Sequence, residues 1–215
     1  EEKLQQQHDL LETVIESIPS AVSFFNRDQV LELHNQEFRR LLDLPPSLMD
    51  AAPVTLEKLF RFNVARGEYG PGDPEHMVQT MMARATAPKA HHFERIRPNG
   101  KSLDIRGAPL ANGGFVTTYT DVTERRASEE REHLAQKVFD NTPAGIMVTD
   151  DAQRIISANP ATLEMSGYES YEILGQTIFA LLEFNEFMNS EQLQQELNQQ
   201  GSWHGELDIL RKTGE

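Results

Sequence analysis

The chain has 215 residues, 38% hydrophobic and 25% charged, which is ordinary for a globular protein and enough for one large or two small domains. Its 34 Asp and Glu outweigh 20 Lys and Arg, and the formal net charge of −14 repels phosphate backbones and argues against direct nucleic-acid binding. With no cysteine, disulfides, thiolate metal sites and cysteine nucleophiles are excluded, and no apolar run approaches the roughly 20 residues that span a bilayer.

The opening stretch "EEKLQQQHDLLETVIESI" (1–18) reads as an amphipathic helix. Leu4, Leu11 and Ile18 recur every seven residues, with Val14 three beyond Leu11. That is the spacing of a short coiled-coil seam, although packing on the helix's own domain explains the stripe nearly as well. Pro19 ends the helix. "AVSFF" (21–25), the polar turn "NRDQ" (26–29) and "VLEL" (30–33) read as a hairpin. Asn35 is a good N-cap for the helical stretch "NQEFRRLLDL" (35–44).

"VTLEKLFRFNVARGEYG" (54–70) and "PEHMVQTMMARAT" (74–86) both read as helical, with Gly70-Pro71-Gly72 between them. "GEYGPGD" (67–73) is a turn and not a phosphate loop, because the required Lys-Ser/Thr is missing. "HHFERIR" (91–97) and "SLDIRGAPL" (102–110) flank the turn Pro98-Asn99-Gly100. "SLDIRGAPL" and "GFVTTYTD" (114–121) flank Asn112-Gly113, where both residues can take positive φ as a tight hairpin needs. The order β-β-α…-β-β-β gives an antiparallel sheet with helices on one side, an α+β domain.

The last strand then runs without a loop into a charged helix that ends at "EREHLAQKVF" (130–139), whose apolar residues Ala127, Leu134 and Val138 make only a thin stripe. Asp121 or Thr123 can cap the orphan amides at its start, and Asp121 with Glu124 has capping-box spacing. An ordinary helix cap explains these residues as well as a signalling hinge does.

The chain also repeats itself. Set "VIESIPSAVSFFNRDQVLELHNQEF" (14–38) above "VFDNTPAGIMVTDDAQRIISANPAT" (138–162). Pro19 falls on Pro143, Val22 on Ile146, Gln29 on Gln153, Leu31 on Ile155 and Asn35 on Asn159, with no gap. "IRPNGK" (96–101) matches "LRKTGE" (210–215) further on, with extra residues in the first copy between the two matches. The separation is too long for a solenoid period, so the chain holds two copies of one domain. Pro160 sits at the first helical position after the Asn159 cap, where it costs no hydrogen bond. Beside the first copy, the second lacks its last two strands, so 140–215 is expected to be an incomplete domain.

These stretches resemble the PAS domain. In the second copy the residues that carry the resemblance are "VFDNTPAGIMVTDD", "IISANPATLEMSGYESYEILGQ" and "GSWHGELDILRKTGE", which look like PAS domains N-terminal to GGDEF and EAL output domains. In the first they are "RFNVARGEYGPGD" and "DIRGAPLANGGFVTTYTDVTERR", similar to a subtype known from sensor histidine kinases of two-component systems and from cyclic-dinucleotide enzymes. The resemblance implies two PAS folds, each a five-stranded antiparallel sheet flanked by helices around a small internal pocket, joined by a helix, with the second copy truncated. It implies an N-terminal signalling helix (1–18), a first domain (19–122), a linker helix (123–139) and a second domain (140–215).

The function implied is bacterial signal transduction. A small ligand, cofactor or partner is sensed, and the signal leaves through Asp121, Thr123 and Glu124 into the helix and on to a C-terminal output domain. The output is a diguanylate cyclase or phosphodiesterase; the alternatives are the sensor region of a histidine kinase, or a ligand-free PAS module for dimerisation and docking. The fragment itself has no Ser-His-Asp order, paired-carboxylate spacing or Walker pattern and is expected to be non-catalytic. A homodimer through the N-terminal and linker helices and a cytoplasmic location are expected.

For cofactors, His76 lies beyond "GPGD", where some haem-binding PAS domains place their ligand; a surface histidine is the plainer reading. Trp203 in "GSWHGEL" could stack on a flavin, or pack the inner face of the sheet. His91 and His92 point to opposite strand faces and cannot share one ion, and no metal site is expected. The lack of cysteine excludes a flavin–cysteine adduct and a thioester-linked chromophore.

Overall fold

The computed structural model describes residues 2–85, 89–111, 113–183 and 189–213. Among the sequence expectations, Thr86, Asn112 and the Gly214-Glu215 end of the second repeat match lie outside the described residues, as does the side chain of Leu4. The chain forms two compact units, Glu1–Ser128 and Glu129–Glu215.

Unit 1 runs α1 (Glu2–Ser17), β1 (Ala21–Phe25), β2 (Leu31–His34), α2 (Gln36–Leu41), α3 (Pro46–Met49), α4 (Leu56–Ala65), α5 (Pro74–Ala85), β3 (His91–Ile96), β4 (Ser102–Pro109) and β5 (Phe115–Asp121), and α6 (Thr123–Asn141) begins in it. The five strands form one antiparallel sheet in the order β2-β1-β5-β4-β3, so the last strand lies at the centre. This is the expected α+β architecture.

The register aligns Ala21, Tyr119, Ile105 and Phe93 across the sheet, and next to them Ser23, Thr117, Gly107 and His91. Side chains alternate along a strand, so these residues share the face that carries the core. Ala21, Phe25, Leu103 and Ile105 pack there against Phe38, Leu41, Met49 and Leu59 from the helical side. Gly107 is required at its place: a Cβ would run into the rings of His91 and Phe115.

Unit 2 continues with β6 (Met147–Thr149), β7 (Ile155–Ala158), α7 (Pro160–Ser166), α8 (Ser170–Ile173), a 3-10 turn (Ile178–Leu181), β8 (Leu182–Glu183), α9 (Ser190–Gln200) and β9 (Asp208–Ile209). The described strands pair as β6–β7 and β8–β9, both antiparallel. Ile155, Ile173 and Leu181 form a small core with Met147, Leu163, Tyr168 and Ile178 around it.

The repeat holds at atomic level. In the first hairpin Asn26 Oδ1 accepts from the amides of Asp28 and Val30, at 2.9 and 3.0 Å. In the second, Asp150 Oδ1 accepts from Ala152 and Arg154, at 3.0 and 2.8 Å. A side-chain acceptor that folds the backbone over itself in this way is the reason Asn and Asp start turns. Each turn then puts a glutamine in the left-handed region, Gln29 at φ 61° and Gln153 at φ 59°. L residues visit that region at some cost, so the shared strain marks one turn design used twice.

Candidate functional site

The exit from unit 1 is built around one hydroxyl. Thr123 opens α6, and its Oγ1 accepts from the Ser102 amide at 2.9 Å while donating to Asp121 Oδ1. Asp121 Oδ1 also accepts from the Thr123 amide at 3.1 Å, two residues on. Thus the first residue of the helix is joined both to the end of the central strand and to the start of its neighbour β4. The Val122 amide adds a bond to the Ser102 carbonyl at 2.9 Å, and Val122 itself is buried. A third strand is tied in through Glu94 of β3, whose carboxylate meets Arg126 at 2.9 Å and Arg125 at 3.6 Å. Glu124 lies exposed in the first turn, where a negative charge meets the positive end of the helix dipole.

Burial of the Asp121 carboxylate pushes its pKa up. The Thr123 hydroxyl and amide, with Lys101 at 3.5 Å, more than offset that and hold it below the usual range. The three residues singled out from sequence therefore stand together at the helix start. Ser102 was missed, since nothing local marks a strand-opening serine as a partner for a residue beyond the next hairpin.

The other end of α6 is held by a different device. Asn159 is fully buried, and its amide nitrogen donates to the carbonyls of Phe139 at 3.1 Å, Thr142 at 3.4 Å and Ala144 at 2.9 Å. Its Oδ1 accepts from the amides of Ile146 at 2.8 Å and Thr162 at 3.0 Å. Asn35 does the same for α1, donating to Ile15, Ile18 and Ser20 carbonyls and accepting from Val22 and Phe38 amides. Both asparagines read from sequence as N-caps, and both are; their second role is to fasten the incoming helix by its orphan carbonyls. Between its ends α6 buries no side chain, and Leu134 and Val138 are exposed.

A third cluster lies on the helical side of the unit 1 sheet. Arg97 is buried and fully paired. Its Nε and Nη2 reach Glu68 at 3.0 and 2.6 Å, its Nη1 reaches Asp43 at 3.0 Å, and further bonds go to the Leu41 and Leu42 carbonyls. Arg66 lies 3.3 Å from Glu68 and stacks over Phe62 at 4.7 Å. Arg95 stacks over Tyr69 at 4.9 Å, and its nearest carboxylate oxygen, on Glu68, is 4.0 Å away. Burial pushes the Tyr119 hydroxyl up to about 12, so it stays neutral. Glu68 sits in "GEYGPGD", read from sequence as a plain turn. The missed signal was period 2 in β3, which places Arg95 on the same face as Phe93.

The two cofactor candidates fall in separate units. His76 is exposed in the first turn of α5, its amide bonded to Asp73 Oδ2 at 3.0 Å. Trp203 is half-buried in the connection between α9 and β9, with its indole folded over Gly205. His91 and His92 do take opposite faces: His91 stacks on Phe115 at 5.4 Å and His92 pairs with Asp104 at 2.7 Å. Among the described residues no group of three His, Asp or Glu is placed to hold a metal ion, and no helix is long and apolar enough to cross a membrane.

Comparison with known proteins gives two family matches, to a model described as a PAS fold over residues 15–130 and to one described as a PAS domain over residues 134–200. Similar solved structures include the PAS domain of an HTR-like protein from Haloarcula marismortui, at 19% identity and TM-score 0.37, covering 56% of this chain and 95% of that one. Another is a domain of a sensory box sensor histidine kinase/response regulator from Geobacter sulfurreducens, at 13% identity and TM-score 0.36, covering 55% and 96%. A third is the PAS domain of BvgS from Bordetella pertussis, at 13% identity and TM-score 0.40, covering 61% and 98%. No curated protein matches the chain.

Proposed function

Because this chain belongs to the PAS family, with two copies in tandem, we propose that it senses a small ligand, cofactor or partner in its first copy and passes that state through α6 to the second copy and a C-terminal output domain. Residues 1–18 serve as a signalling helix, 19–122 as the first domain, 123–139 as the linker and 140–215 as the second domain. Occupancy of the first domain shifts the balance between two packings of β5, by as much as the ligand's affinity differs between them. Asp121 and Thr123 convert that shift into a new aim for α6, and Glu124 stabilises the helix start.

The observation that carries this reading is the Thr123 hydroxyl, bonded at once to the central strand's last residue and to Ser102 of its neighbour. A flexible tether needs neither bond. A 19-residue helix without buried side chains draws no stability from packing, so its fastened ends are what make it a transmitting rod. Catalysis belongs to the output domain, a diguanylate cyclase or phosphodiesterase as the wording of the second copy suggests, with a histidine kinase as the alternative parent. The exposed Leu11 and Val14 on α1, and Leu134 and Val138 on α6, support a homodimer through these helices; the location that goes with this reading is the cytoplasm.

Hydrogen exchange read by mass spectrometry tests the transmission. Thr123→Val is expected to raise exchange in the last turn of α6 and in the β6–β7 hairpin. Replacing 129–135 with a Gly-Ser segment is expected to confine that effect to unit 1. If the change never passes the first turn of α6 in the intact chain, the rod is only a tether.

A further inference from the structure

We infer that the inner face of unit 1 holds a small monoanionic organic acid, with its carboxylate on Arg95 and its body against Tyr69 and Phe93. This deepens the sensory reading above and rests on it. Arg95 is the observation that demands a ligand. Its side chain is 21% exposed, its Nε is buried without a hydrogen-bond partner, and its nearest carboxylate oxygen stands at 4.0 Å, beyond hydrogen-bonding distance. A buried N–H without an acceptor is costly, and proteins keep such groups where something else binds. Stacking of the guanidinium on Tyr69 occupies its face and leaves its N–H edge available, the edge that takes a carboxylate through two parallel bonds.

Ser23 is fully buried on the same face of the sheet, where its hydroxyl is paired with the neutral hydroxyl of Tyr119, which lies in the row between Ser23 and Arg95. Access is from the β3 edge, where Phe93 is 46% exposed although its strand partner Ile105 is buried in the core. Tyr69 sits in a turn whose glycines, Gly67 and Gly70, take φ 78° and 83°, backbone suited to a close-fitting cover.

Charge decides which anion. Arg66, Arg95 and Arg97 face Glu68 and Asp43, so three cations against two carboxylates leave one positive charge. A monocarboxylate neutralises it, whereas a phosphate dianion would leave excess negative charge there. The aromatic surfaces of Tyr69 and Phe93 favour an acid with an apolar body.

Thermal unfolding of the full chain tests this with sodium acetate, benzoate and 4-hydroxybenzoate, against chloride and inorganic phosphate at equal ionic strength and benzamide as the neutral analogue. Benzoate or 4-hydroxybenzoate is expected to raise the transition of unit 1, with no response to benzamide or phosphate. Arg95→Met, which removes the guanidinium and keeps the apolar stem, is expected to abolish the response. Arg95→Lys keeps the charge without the fork and is expected to bind roughly tenfold more weakly. Carboxylates that act like chloride, a response to phosphate alone, or an equal response in Arg95→Met would each overturn the inference. Binding of a neutral compound or a coloured cofactor instead would do the same and leave the sensory reading standing. Carboxylate binding without any change of exchange in α6 would uphold the site and remove the sensory reading.

Discussion

Replacing Thr123 by valine keeps the shape and the β-branch and deletes only the hydroxyl. Helix propensities of Thr and Val are nearly equal, so the effect is not one of intrinsic helix preference. Two bonds disappear: the Ser102 amide at 2.9 Å loses its acceptor, and Asp121 loses a donor. A neutral hydrogen bond contributes about 1 kcal/mol net, and a buried amide left without a partner costs roughly 1–3 kcal/mol. Ser102 is buried, so the unpaired amide dominates, and the hinge should lose about 2–3 kcal/mol of local stability. At 1.4 kcal/mol per factor of ten, that is roughly 30- to 140-fold faster exchange for the amides of Ser102 and of the first turn of α6. Site-resolved hydrogen exchange by NMR reads this directly, and Thr123→Ser, which retains the hydroxyl, serves as the control. Exchange in Thr123→Val within a factor of two of the native rate would show that the hydroxyl does not secure the helix start.

The Asp121 carboxyl is expected to titrate below the usual aspartate range in a carbon-detected NMR titration, and to move back up in Thr123→Val. With the folded pKa depressed, its contribution to stability is complete above the unfolded value of about 3.9 and is lost as pH falls through the folded value; Asp121→Asn should flatten that acid limb. Asn159→Ala removes the amide that holds three carbonyls and should cost unit 2 about 3 kcal/mol, with protease cutting near the end of α6 as the readout, while Asn35→Ala should do the same to α1 and β1. Glu68→Gln leaves buried Arg97 with the exposed Asp43 as its remaining carboxylate partner and is expected to cost unit 1 roughly 2–3 kcal/mol in urea unfolding. Glu68→Leu with Arg97→Met should cost far less than the two single changes added, and an additive double-mutant cycle would argue against coupling of the pair.

Much of the framework was legible before any coordinates. Gln29 on Gln153 and Asn35 on Asn159 located the repeat, and the structure gives those pairs the same backbone conformation and the same bonds. The hairpins, the Asn caps and the charged exit helix were all readable, because turn chemistry, capping and hydrophobic period act over a few neighbouring residues. The hinge trio was readable for the same reason, as Asp121, Thr123 and Glu124 lie within four positions of one another. The glycine-rich "GEYGPGD" was read only as a turn, and its Glu68 proved to be the buried counter-ion of Arg97. The leucines of α1 left two readings open; Leu11 and Val14 are exposed, so packing on the helix's own domain does not account for them.

Local pattern, then, carried the two-fold plan, the strands and the point where strand becomes helix, because each depends on contacts between near neighbours. The partners that give the hinge its grip and the interior its charge came from folding alone: Ser102 for Thr123, Glu94 for Arg126, Glu68 for Arg97 and the open edge of Arg95. Those contacts join residues separated by whole elements. They form only when the register of β3, β4 and β5 brings the two partners of each contact side by side, and that register is set by the packing of the entire sheet.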